Sequence, residues 1–121
     1  MIFLDMKTGI FVFRVDSSRT IGSGHLMRCI TLAKGLENHG AVCYFIARAL
    51  DGNLNNLIAL NGFKLIELSS DNNYTYVQSK EEPRHSYFRE IDWKVDAEET
   101  LKILLRLNPD WLIVDHYGLW E

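Results

Sequence analysis

Short apolar runs, each with the length of a β-strand, alternate with segments of helical periodicity along this 121-residue chain. The runs cover residues 10–13, 42–47, 63–68 and 111–114. Strands that are apolar on both faces are typical of a parallel sheet covered by helices. The alternation therefore predicts an α/β fold with a Rossmann-like, doubly wound parallel sheet and right-handed crossovers. Ligands of such sheets bind beyond the carboxyl ends of the strands.

Two helices are predicted between the first three strands. The first ends at Gly40, which suits a C-terminal cap. Its apolar face comprises Leu26, Ile30, Ala33 and Leu36. The second covers residues 53–60 and ends before Gly62. Its apolar face comprises Leu54, Leu57 and Ile58.

A third helix is predicted before the last strand. Residues 69–95 have no clear period and are interpreted as a long loop. Asp96 and Glu99 then have the spacing of a capping box, with Asp96 as the N-cap. The helix that they open is predicted to end at Pro109. Its predicted core-facing residues are Leu101, Leu104 and Leu105.

Composition limits the partners of the chain. Its 13 basic and 16 acidic residues give a formal net charge of −3, which argues against nucleic acid and anionic membranes as partners. Cys29 and Cys43 suit neither a disulfide framework nor a zinc site, and predict buried, reduced thiols in a cytoplasmic protein. The apolar start is interrupted at Asp5, too early for a signal peptide or a membrane span. Residues 1–9 are therefore predicted to be a tail, and residues 10–121 one domain.

The segment of residues 14–28 carries the strongest functional signal. Gly22 and Gly24 allow a sharp turn or a close approach to a ligand. His25 follows in the first turn of the predicted helix, where the helix dipole favours an anion and disfavours imidazolium. A histidine kept neutral there is a candidate general base. The loop lacks the third glycine of a dinucleotide fingerprint and the Lys-Ser/Thr of a P-loop, and a tight turn with an incidental histidine is the alternative.

A second polar motif, Asp115-His116-Tyr117-Gly118, follows the last strand. Both motifs therefore fall at the carboxyl edge of the predicted sheet. We interpret Asp115 as an N-cap or loop brace, with a direct catalytic role as the alternative. We assign His116 a structural role. Since the sequence stops soon after this strand, we also interpret the chain as the first domain of a longer protein.

The two motifs together resemble the UDP-sugar hydrolases of pseudaminic acid biosynthesis, which act on UDP-2,4-diacetamido-2,4,6-trideoxy-β-L-altropyranose. The matching segments are Arg14-Val15-Asp16-Ser17-Ser18, Ile21-Gly22-Ser23-Gly24-His25, Arg28-Cys29 with Leu32-Ala33, Asp96-Ala97-Glu98-Glu99-Thr100 and Val114-Asp115-His116-Tyr117-Gly118. This family is similar to the two-domain glycosyltransferases of the GT-B type. The resemblance implies that this chain is the N-terminal domain, and that a C-terminal domain of the same protein holds most of the nucleotide. The isolated chain is then expected to fold but to be nearly inactive.

The resemblance also implies a reaction: hydrolysis at the anomeric carbon with inversion, releasing UDP and the free sugar. It assigns His25 as the base that activates water, and Tyr117 as an active-site residue whose hydroxyl holds the sugar or the water. The residues assigned to substrate binding are Asp16, Ser17, Ser18, Gly22, Ser23, Gly24, Arg28, Asp115 and His116. No group of acidic and histidine residues has metal-ligand spacing, so we expect a reaction without metal or cofactor.

Alternative roles remain open for several of these residues. Asp16 either orients the ring of the candidate base or has a structural role. Ser17 and Ser18 either bind substrate or close the turn. Arg28 either reaches a phosphate or is solvated or paired.

Two other functions also remain open. In a related nucleotide-sugar glycosyltransferase, an acceptor hydroxyl would replace water and the same base would serve. In a non-catalytic sugar- or nucleotide-binding domain, or an α/β interaction domain, the glycine-rich loop is only a turn.

Overall fold

The computed structural model describes residues 9–70 and 93–115. Within them, strands and helices alternate along the chain. The elements are β1 (Ile10–Val15), α1 (Gly24–Asn38), β2 (Val42–Arg48), α2 (Asn56–Leu60), β3 (Lys64–Leu68), α3 (Trp93–Leu107) and β4 (Trp111–Asp115). The strands are parallel and lie in the order β3-β2-β1-β4. The predicted α/β class with a parallel sheet flanked by helices is confirmed, and the strand order is consistent with a Rossmann-like sheet. The direction of the strand order reverses between β1 and β4, where open α/β sheets commonly bind ligands.

Helices cover both faces of the sheet. On one face, α1 and α2 pack over the larger core cluster, in which the rings of Phe13 and Phe45 stack with their centroids 4.8 Å apart. On the other face, α3 covers a smaller cluster around Val12, Ile46 and Ile103. The predicted apolar face of α1 is confirmed. Its buried residues include Leu26, Ile30, Ala33 and Leu36.

Helix α3 differs from its prediction in its start and in the side that it buries. It begins at Trp93, so Asp96 lies inside the helix and the predicted N-cap is wrong. Leu101 and Leu105, predicted to face the core, are 53% and 73% exposed, whereas Leu104 packs against the smaller cluster. The buried residues of the helix are Asp96, Thr100 and Ile103. The side of α3 that faces the sheet is thus the side that carries the buried Asp96, and a search for apolar periodicity alone does not find it.

The second helix is shorter than predicted. It spans Asn56–Leu60, and Leu54 precedes it with 38% of its surface exposed. Ile58 is buried and Leu57 half-buried, as expected for the predicted apolar face. The helix is brief because residues 50–55 are held in a loop by their own hydrogen bonds, such as that from the Asn53 side chain to the carbonyl of Leu50.

Several predictions concern residues outside the described ranges. These are most of the tail at residues 1–9 and most of the long loop at residues 69–95.

Cys29 and Cys43 are both buried thiols without a disulfide. Within residues 9–70 and 93–115, every helix is too short or too polar to cross a membrane.

Candidate active site

The candidate site lies where β1 and β4 end side by side. Val15 of β1 pairs with Asp115 of β4. Because side chains alternate along a strand, Asp115 lies on the face of the sheet that carries α1, together with Ile113. Helix α1 begins at Gly24, so His25 is in its first turn, as predicted. His25 of the first motif and Asp115 of the second therefore meet at one edge, as expected. His116 and Tyr117 lie outside the described residues.

The ring of His25 forms a hydrogen bond with the carboxylate of Asp115. Its Nδ1 lies 2.5 Å from Oδ1 of the carboxylate, and the two side chains are 20% and 18% exposed. Burial opposes ionisation of Asp115, but hydrogen bonds from Arg28 and His25 outweigh it and hold the pKa of this carboxyl below its usual value. An ionised carboxylate only accepts hydrogen bonds, so Nδ1 carries the proton. In the neutral ring, Nε2 then holds the basic lone pair, which is the arrangement of a general base.

Three side chains of α1 converge on this carboxylate. His25, Arg28 and Cys29 are spaced i, i+3 and i+4, which places them on one side of the helix. The Nη2 of Arg28 donates to Oδ2 of Asp115 at 2.9 Å, and the Sγ of Cys29 lies 3.9 Å from the same oxygen. Asp115 is therefore the last residue of a strand and binds helix side chains. This is a different role from the N-cap or loop brace favoured from the sequence.

Cys29 is a donor at this site. Burial and the negative charge of Asp115 raise the pKa of Cys29 to about 12. A thiol with such a pKa stays protonated at neutral pH and is a poor nucleophile. Its contribution is a weak S–H hydrogen bond to the carboxylate.

The loop between β1 and α1 is folded by its own hydrogen bonds. The Oγ of Ser18 accepts the N–H groups of Thr20 and Ile21 at 3.1 and 2.8 Å. The N–H of Gly22 donates to the carbonyl of Ser18 at 2.8 Å. Gly22 has a φ of 83°, in the left-handed region that favours glycine. Ser18 and Gly22 thus close the turn, one of the two roles considered for this loop.

The neighbouring loop after β2 supports this turn. The N–H of Leu54 donates to Oγ of Ser17 at 2.8 Å, which gives this buried serine a structural partner. The N–H of Arg19 donates to the carbonyl of Asp51 at 2.9 Å. Gly52 has a φ of 74°, and a Cβ added to it would lie 2.9 Å from the Cβ of Arg19. The two loops are therefore in tight backbone contact.

The start of α1, unlike the two loops, has free space around its glycine and no side-chain cap. A Cβ added to Gly24 would meet nothing within 4 Å, and the φ of Gly24 does not require glycine. Ser23, the N-cap residue, makes no side-chain cap hydrogen bond, and the first turn contains no acidic residue. This end of the helix thus keeps the partial positive charge that attracts an anion.

A buried ion network lies on the other face of the sheet. Arg14, Asp16, Arg48 and Asp96 are each no more than 2% exposed. Asp96 of α3 accepts a 2.5 Å bond from Nη2 of each arginine. Asp16 accepts from Nη1 of Arg14 at 2.6 Å and from the backbone N–H of Arg48 at 2.7 Å. The network joins β1, β2 and α3, and its member Asp16 directly follows β1, where the loop that leads to His25 begins.

The network changes the interpretation of Asp16. The sequence suggested this residue as a substrate ligand or as the carboxylate that orients the base, and left a structural role open as the alternative. The carboxylate on His25 is instead Asp115, and Asp16 anchors the network. Burial opposes the charge of Arg14, but Asp16 and Asp96 raise the pKa of this guanidinium above its usual range. The missed signal is the presence of arginines within strands that are otherwise apolar, since a buried arginine requires buried acids.

A groove of about 640 Å³ opens beside the His25–Asp115 pair, between α1 and β4. Its volume lies within the range of small-molecule sites, and much of its lining is apolar. The lining residues are Gly24, Met27, Arg28, Cys29, Thr31, Leu32, Ile113 and Asp115.

In the part of the chain that the structure describes, no three His, Cys, Asp or Glu side chains are grouped as they would be to hold a metal ion. Comparison with protein-family models, curated proteins and solved structures found no match to this chain.

Proposed function

We propose that this chain is the N-terminal half of a cytoplasmic, two-domain hydrolase of the GT-B type. Its substrate is a UDP-linked 2,4-diacetamido-2,4,6-trideoxy hexose of pseudaminic acid biosynthesis, and its products are UDP and the free sugar. The observation that carries this proposal is the hydrogen bond between His25 and Asp115 at the open start of α1. It supports base-catalysed hydrolysis because it leaves Nε2 as the basic nitrogen.

The reaction is a single displacement. Nε2 of His25 removes a proton from water as the water oxygen bonds to the anomeric carbon. The bond from this carbon to the phosphate oxygen breaks, and UDP leaves with the electron pair. Attack opposite to the leaving group inverts the anomeric configuration. Asp115 stabilises the imidazolium that forms, and the ring then returns its proton to solvent.

The same region supplies positive charge for the leaving group. The start of α1 offers backbone N–H groups, and the absence of a side chain at Gly24 lets a diphosphate approach them closely. Arg28, at the rim of the groove, adds a guanidinium that can pair with a phosphate. UDP is a good leaving group, so a positioned water, one base and charge stabilisation can carry the reaction.

The test is the release of UDP and free sugar from the trideoxy-diacetamido UDP-sugar by the complete protein, without any acceptor. We compare wild type with His25→Ala and with His39→Ala, a control at the exposed C-cap of the same helix. We expect His25→Ala to fold normally and to lose about 100-fold or more of the activity. His39→Ala should keep the wild-type rate.

Other outcomes favour the other functions. If His25→Ala turns over like wild type, the histidine is a turn residue and the mechanism is wrong. If wild type binds the UDP-sugar but releases sugar only to an added acceptor, the chain belongs to a glycosyltransferase. Binding without turnover under either condition indicates a binding domain.

A further inference from the structure

A positive charge lies against the candidate base. The Nη2 of Arg28 is 2.9 Å from Nδ1 of His25 and 2.9 Å from Oδ2 of Asp115. A guanidinium has only donors, and Nδ1 carries a proton that it donates to Asp115. The contact between Arg28 and the ring is therefore one between two donors, not a hydrogen bond. Asp115 holds both groups in place while the guanidinium repels a second positive charge on the ring.

The charged and titratable groups found in contact with this ring, as far as residues 9–70 and 93–115 show, lie on β4 and α1. From β4 the group that faces it is Asp115, and from α1 the groups are Arg28 and the protonated thiol of Cys29. In the preceding loop, Asp16 binds Arg14 on the opposite face of the sheet, and Arg19 lies near Asp51 at an exposed site. Among the described residues, Arg28 is thus a cation positioned to oppose protonation of His25.

Arg28 can leave this position. Its side chain is 69% exposed and lines the groove beside the pair. A phosphate binds guanidinium in a bidentate manner and competes effectively with one carboxylate oxygen. When Arg28 turns to such an anion, the full charge of Asp115 becomes available to the imidazolium that forms as water is deprotonated.

We propose that Arg28 is a positioning residue that opposes protonation of His25 in the substrate-free protein and is drawn away when an anionic substrate binds. The departure of Arg28 then removes a positive charge from beside the ring as the ring takes up the proton of water. This inference rests on the proposed function, since it assigns a regulation to the same site.

The test uses two pH profiles, because kcat/KM reports ionisations of the free protein and kcat those of the substrate complex. In wild type we expect the acid limb of kcat/KM to lie at lower pH than that of kcat. In Arg28→Gln the acid limb of kcat/KM should move up by about one pH unit, while that of kcat stays in place. Arg28→Lys keeps the charge and should restore the wild-type limb. Arg106→Gln removes the same charge from the exposed last turn of α3 and should change neither limb.

The possible results are distinct. Coincident acid limbs in wild type, or a lower rate in Arg28→Gln without any shift in the limbs, would overturn the regulation and leave the hydrolase intact. A wild-type protein that releases no sugar would overturn the hydrolase and this inference with it. Circular dichroism of each variant shows whether it is folded. If Arg28→Gln does not fold, the pH profiles of wild type and Arg28→Lys are compared instead.

Discussion

Nδ1 of His25 lies 2.5 Å from Oδ1 of Asp115 although 90 positions separate the two residues in the chain. The first belongs to the start of α1 and the second to the end of β4, so the bond forms only when β4 pairs with β1. The orientation of the candidate base is therefore a product of tertiary structure. Any change that detaches β4 should abolish the site without altering a residue of the glycine-rich loop.

Asp115→Asn is expected to fold and to lose about 10²- to 10⁴-fold of the hydrolytic rate. The amide nitrogen can donate to Nδ1, which moves the ring proton to Nε2 and removes the base. Asp110→Asn is the matched control: it lies just before β4, and its carboxylate accepts the N–H of Ile10 at 2.8 Å, a bond that an amide oxygen preserves. UDP release measures both. Wild-type activity in Asp115→Asn would show that the pair is not used.

Gly24→Ala separates ligand approach from folding. A Cβ at this position meets nothing within 4 Å, so the variant should be at least as stable as wild type. If a diphosphate approaches here, kcat/KM should fall by about tenfold or more, because the methyl group displaces the substrate. Gly35→Ala makes the same change in an equally open position of α1. It should raise stability by about 0.5–1 kcal/mol and leave activity unchanged. Equal activity in both variants would argue against an approach at Gly24.

Asp96→Ala is expected to lower the free energy of unfolding by about 3–5 kcal/mol, because it removes a shared partner from two buried arginines. Glu98→Ala, on the exposed side of the same helix, should change it by about 0.5 kcal/mol or less. Urea unfolding followed by circular dichroism measures the difference. A loss below about 1 kcal/mol in Asp96→Ala would contradict a structural role for the network.

Stability should fall in acid partly through Asp115. Its pKa is lowered in the folded protein, whereas an aspartate of the unfolded chain titrates at about 3.9. The folded state therefore binds fewer protons, and the stabilisation is complete above that value and is lost as pH falls through the folded pKa. Wild type should be more stable than Asp115→Asn at neutral pH, and the difference should shrink below about pH 4. A constant difference in urea midpoint from pH 7 to pH 2 would contradict this.

Much of the fold follows from local patterns in the sequence. Runs such as residues 42–47 are apolar on both faces, which is sufficient to predict a parallel sheet covered by helices. Because parallel strands end at the same edge of a sheet, His25 and Asp115 could be predicted to lie at the same edge, where ligands of such sheets bind. Their direct contact could not be predicted, because it depends on the register between β1 and β4 and on the packing of α1.

The network around Asp96 shows a different limit. An acid early in a helical segment has the pattern of a cap, and caps are far more common than buried acids. The informative residues were Arg14 and Arg48, which stand in apolar strands and need buried partners. Tertiary packing decides which acids these arginines bind, so local sequence patterns cannot predict the partners.

The contact between Gly52 and Arg19 restricts how this protein can vary. An added Cβ at position 52 would lie 2.9 Å from both the Cβ and the backbone nitrogen of Arg19, and the positive φ of Gly52 disfavours other residues as well. A larger residue there requires the loop before α1 to shift at Arg19. During evolution, the two loops should therefore diverge together, and a lone substitution at position 52 should be eliminated by selection although this residue lies outside the reactive pair.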